Sequence, residues 1–92
     1  MEKSDYIESA ELFGLKNKIQ RDVFACFLEF QVDVIGSDFS LVHEFLLLLS
    51  NSREIPDDPL DIFYEICLVY PMTKINIFKL IRLYLDEYGQ LE

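Results

Sequence analysis

The chain has 92 residues, 51% of them hydrophobic, and a formal charge of −9 from 17 acids against 8 bases. That length holds a single domain, 1–92, with a small core that needs neither disulfides nor a structural metal. The charge disfavours direct binding to nucleic acid or to an anionic membrane, since both repel it, and favours a basic protein partner; the same acid excess also keeps a hydrophobic domain in solution.

Three glycines and three prolines argue against a turn-rich β fold. Glu2, Lys3, Ser4 and Asp5 stand where the apolar stretch of a signal peptide would begin, and no apolar run approaches the ~20 residues of a membrane span, so a cytoplasmic protein is expected. Cys26 and Cys67 sit inside apolar helical patterns. They read as free thiols in a reducing compartment, too few for a thiolate zinc site.

In chain order, residues 1–4 read as loose. A first helix is expected over 5–13, capped by Ser4, with Tyr6, Ala10 and Phe13 inward, Ile7 at the margin and Gly14 as the stop. A second is expected over 16–34. Ile19, Val23, Phe24, Cys26, Phe27, Phe30 and Val34 make its apolar face, and Lys18, Asp22, Glu29 and Asp33 its wet face. Lys18 and Asp22 are spaced to pair. The partly β-branched stretch 32–35 weakens this helix ahead of Gly36.

The most apolar stretch, 39–49, reads as the central helix on which the others pack, capped by Ser37 or Asp38. At about 100° per residue, Leu41, Val42, Phe45, Leu46, Leu48 and Leu49 share one face, and Ser40, His43 and Glu44 the other. Leu47 falls on the polar side. Residues 50–58 form a polar loop. Asp58-Pro59 then starts a fourth helix by cap and first-turn proline, which Pro71 ends. Its inward set is Leu60, Ile62, Phe63, Ile66, Cys67, Val69 and Tyr70. A fifth helix is expected over 76–88, with Ile77, Phe78, Leu80, Ile81, Tyr84, Leu85 and Tyr88 inward and an Arg82–Asp86 pair outside.

The fold expected is therefore all-α, a compact array of five helices. A weak repeat, Asp22-Val23-Phe24 against Asp61-Ile62-Phe63, suggests two helical hairpins packed on each other. Neither connection places oxygen ligands at alternating positions, so a calcium loop is not expected, and no cofactor is implied. His43 and Glu44 are adjacent on a helix and point apart, so they do not form an acid–base pair. Glycine-rich phosphate loops, paired metal-binding histidines and basic patches with interleaved aromatics are all absent from the sequence. The chain reads as non-catalytic.

One outer face stands out. Asp61, Tyr64, Glu65 and Leu68 fall together on the fourth helix, with Asp57 and Asp58 just before it. Acids near a helix start are favoured by the dipole alone, but a tyrosine ringed by carboxylates is also the kind of anchor that meets lysines and arginines on a partner. The expected function is a protein-binding module. In its sharpest form it is an acidic inhibitor of a basic nucleic-acid-handling protein, such as an immunity protein or antitoxin against a nuclease toxin, or an anti-CRISPR or other phage protein. The alternative is a structural homodimer or adaptor domain, in which Leu47, Leu83 and Leu68 contribute a self-complementary apolar surface.

Overall fold

The computed structural model describes residues 2–15 and 17–89. Five α-helices succeed one another along the chain: α1 Lys3–Glu11, α2 Lys18–Glu29, α3 Phe39–Ser52, α4 Pro59–Val69 and α5 Lys74–Glu87. A π-helical turn, Phe30–Ile35, continues α2. The all-α array expected from the sequence is the architecture found, with no strand among the described residues.

Local chemistry sets most of the helix ends. Asn17 caps α2, Asp38 caps α3, Asp58 caps α4 and Thr73 caps α5, each side-chain oxygen accepting from first-turn N–H groups. α1 starts earlier than the Ser4 cap implied. The Asp5 carboxylate accepts the Glu2 N–H at 3.0 Å, which draws Lys3 and Ser4 into the first turn.

The organising element is α2, not α3. Every residue from Asp22 to Gln31 is buried, as in a helix covered on all sides. α2 packs against all four other helices. Phe24 meets Phe13 after α1 edge-on at 5.8 Å. Phe27 meets Phe45 of α3 at 6.2 Å and Tyr70 at the end of α4 at 5.7 Å. The Cys26 Sγ lies 3.8 Å from the Leu80 carbonyl oxygen of α5.

Two of the four charged residues read as α2's wet face, Asp22 and Glu29, are also inside, while Lys18 and Asp33 are exposed. Asp22 is 4% exposed and Glu29 7%. Asp22 is held by Lys18 at 2.6 Å and by two guanidinium nitrogens of Arg21 at 3.0 and 3.2 Å. Glu29 accepts the Tyr88 hydroxyl at 2.8 Å. Pairing of this kind lets a carboxyl sit in a core that would otherwise expel it. Ile19 and Val34, expected inward, are exposed.

The π turn arises at the β-branched stretch that weakens the helix. It holds about one more residue per turn than an α-helix and so rotates the facing of the residues beyond it. Gln31 is turned inside, with its Nε2 donating to Met72 Sδ at 3.5 Å and its Oε1 without a partner among the described residues. Asp33 is exposed yet accepts the Tyr6 hydroxyl at 2.7 Å, tying α1 to the turn. Gly36 ends the turn at φ 85°, a left-handed conformation costly for residues with a Cβ, and the Ser37 N–H closes back on the Gln31 carbonyl at 2.7 Å.

α3 is rotated relative to the expected facing. Val42, Leu46 and Leu49 are buried, and Phe39, Phe45 and Leu47 pack beside them. Leu41 and Leu48 point outward, each 68% exposed. His43 is half-buried rather than on a wet face, with ring centroids 4.9 Å from Phe13 and 5.7 Å from Phe39. On α5, Leu80, Tyr84 and Tyr88 are buried while Phe78 is 71% exposed.

Candidate protein-binding surface

α4 begins where Asp58 accepts from the Leu60 and Asp61 N–H groups at 2.9 and 3.4 Å. Pro59 comes next, at the first helical position, where its missing N–H leaves nothing unpaired. Pro59, Ile62, Phe63 and Ile66 face the core. That phase leaves Asp61, Tyr64 and Leu68 outward on successive turns, with Glu65 half-exposed beside them. Tyr64 is 64% exposed and Leu68 57%.

The six candidate residues divide by what they already touch. Asp57 accepts from Gln20 Nε2 at 3.3 Å and from Asn17 Nδ2 at 3.5 Å, which ties the loop to the start of α2. Gln20 reinforces that tie by donating to the carbonyls of Ile55 and Pro56 at 3.0 and 3.1 Å. Asp58 is committed to the cap. Glu65 is paired with Arg53 at 2.8 Å. Asp61, Tyr64 and Leu68 form the exposed remainder. Among the described residues the Asp61 and Tyr64 side chains make no hydrogen bond or ion pair, and the three lie at i, i+3 and i+7 along one stripe.

Tyr64 also lines a shallow cleft of about 210 Å³ between α4 and α5, with Leu60, Cys67, Ile77 and Ile81. Leu60, which the periodicity places inward, is 47% exposed on the rim of this cleft. A ring beside an apolar cleft, with a carboxylate one turn away, can accept an aliphatic or aromatic side chain flanked by a lysine or arginine. Leu47 and Leu83, the secondary candidates, are half-buried and pack on the core. Away from α4, exposed apolar side chains include Leu12 after α1, Leu41 and Leu48 on α3, and Ile75, Phe78 and Leu85 on α5. An open groove of about 760 Å³ runs between α5 and the π turn, and Leu83 lines it together with Phe30, Val34, Phe78, Ile81 and Leu85.

The thiols are placed for packing. Cys26 is wholly buried, and burial raises its thiol pKa far above the ordinary range; Cys67 is half-buried and raised for the same reason. Among the described residues, no three His, Cys, Asp or Glu side chains converge to hold a metal ion, and no helix is long and apolar enough to cross a membrane.

Against protein-family models, curated proteins and solved structures, the chain finds no match. Its surface has to be read from its own chemistry.

Proposed function

We propose that the chain is a non-catalytic protein-binding module, an acidic inhibitor that occupies the surface a basic protein uses to hold nucleic acid. The observation that carries this reading is Tyr64. It is a large aromatic ring, 64% exposed, on a helix face shared with Asp61 and Leu68. Tyrosines of this kind give contact area at low entropic cost, and truncating such an anchor costs about 2 kcal/mol or more of binding.

The charge supports the same reading. At −9, the molecule draws a basic partner into encounter and competes with phosphate for its lysines and arginines. An immunity protein or antitoxin facing a nuclease toxin, and an anti-CRISPR or other phage inhibitor of a nucleic-acid-handling complex, are the two forms that fit. Either would act in the cytoplasm.

The test is a pulldown from lysate of the source cell at low and high salt, with the wild type, Tyr64→Ala and Asp61→Lys. A basic protein recovered at low salt, weakened by salt and lost in both variants is the expected outcome. A partner that is retained by both variants, or is acidic, would rule the reading out.

A further inference from the structure

α5 carries a second surface, distinct in chemistry from the α4 face. Its core side is Leu80, Tyr84 and Tyr88. On the opposite side, Ile75, Phe78, Arg82 and Leu85 succeed one another at spacings of three, four and three, the spacing of a coiled-coil seam. Ile75 is 67% exposed, Phe78 71% and Leu85 41%. The Arg82 side chain is 78% exposed. The seam runs beside the open groove of about 760 Å³ whose other wall is Val34 and Phe30 of the π turn. Side chains at such a seam are normally covered by a second helix.

The charges along α5 say which helix. Lys74 and Lys79 lie in its N-terminal part, and Asp86 and Glu87 close its C-terminal end. Lys74, Lys79 and Arg82 are three of only eight basic residues in a chain of net charge −9. A second α5 laid parallel would set lysine against lysine and acid against acid. Laid antiparallel, it sets the basic end of each on the acidic end of the other and also opposes the two helix dipoles.

We infer that the α5 seam docks a second copy of this chain, α5 against α5, antiparallel about a two-fold axis near Ile81 and Arg82. Phe78 of each copy enters the groove region near Leu85 of the other, and Lys79 of one comes beside Asp86 of the other, a carboxylate that also pairs with Arg82 of its own helix at 3.5 Å. An isologous contact of this kind needs one self-complementary patch and no further site. It goes beyond the proposed inhibitor role and uses none of the α4 candidate residues.

Sedimentation velocity and light scattering over a wide micromolar concentration range test this. The wild type should shift from monomer to dimer, and Phe78→Glu and Leu85→Glu should each raise the dissociation constant about tenfold or more while the far-ultraviolet circular dichroism stays unchanged. Lys79→Glu should weaken the dimer, and Lys79→Glu combined with Asp86→Lys should restore it, a rescue that only the antiparallel arrangement gives. A monomer at every concentration, a dimer that survives Phe78→Glu, or a double charge swap that fails to restore association would overturn the inference. The two readings fail separately, since Tyr64→Ala should leave the dimer intact and Phe78→Glu should leave capture of the basic partner intact.

Discussion

The Tyr88 hydroxyl donates to Glu29 Oε1 at 2.8 Å, joining the end of the last helix to the middle of the chain. Burial raises the Glu29 carboxyl pKa; the Tyr88 hydrogen bond works against the rise, and the nearby Glu87 carboxylate adds to it. A carboxyl whose folded pKa lies above its unfolded value binds more protons when folded, so its contribution to stability grows as pH falls through that window and shrinks as pH rises. Glu29→Gln keeps an acceptor for Tyr88 and removes the charge. Urea unfolding should find the variant more stable than wild type at neutral pH, with the difference narrowing toward acid pH as the wild-type carboxyl takes up its proton. A variant less stable at neutral pH would mean that the ionised carboxylate is the favoured partner of Tyr88.

Gln31 offers a second stability test. Its Oε1 is buried without a partner among the described residues, and an unmet buried acceptor costs about 1–3 kcal/mol. Gln31→Met, similar in length and free of the amide, should raise the unfolding free energy by roughly 1 kcal/mol. A loss of similar size would show that the amide has a partner in solution.

The cap of α4 is isolated enough to measure alone. Asp58→Ala removes the acceptor for the Leu60 and Asp61 N–H groups and should cost about 1 kcal/mol by chemical denaturation. The same substitution tests how much of the acidic cluster is structural. A stability loss with little change in partner binding is expected, because Asp58 is spent on the helix.

Tyr64→Ala should behave in the opposite sense. The side chain is exposed, so unfolding should move by no more than about 0.5 kcal/mol. Loss of partner capture with the fold intact would separate a recognition residue from a packing one.

Thiol labelling reads the burial of α2 directly. Cys26 is wholly buried with a strongly raised pKa, and Cys67 is half-buried. A thiol reagent should modify Cys67 in the native protein and reach Cys26 only on unfolding. Equal rates for the two would contradict the packing of α2.

Helix positions are legible in the sequence because local chemistry sets them. The Asp58-Pro59 start, the end before Pro71, the Gly36 stop and the pairs Lys18–Asp22 and Arg82–Asp86 all stand where the residues imply. Facing is less legible, and for a physical reason. In α3 the five residues before Ser50 are all Phe or Leu, so periodicity cannot fix the phase, and Leu41 and Leu48 read as inward although they face out. In α2 the charges of Asp22 and Glu29 mark a wet face that does not exist. Their partners, Lys18 and Arg21 for Asp22 and Tyr88 for Glu29, include one that no local pattern could supply. Of the α4 candidates, the stripe Asp61, Tyr64 and Leu68 is readable from the clean phase set by Ile62, Phe63 and Ile66. The α5 seam is hidden from sequence reading because Phe78 and Leu85 look like core until Leu80, Tyr84 and Tyr88 claim that side.

A helix wrapped on every side, as α2 is from Asp22 onward, ties the other helices to one shared interior. Removing α1, α3, α4 or α5 strips cover from part of the run between Val23 and Phe30, so an excised fragment has no complete interior to fold around. Amide protons along the middle of α2 should exchange only when the entire assembly opens. Their exchange rate is therefore a gauge of the free energy of the whole chain, and anything that binds the native surface will slow it.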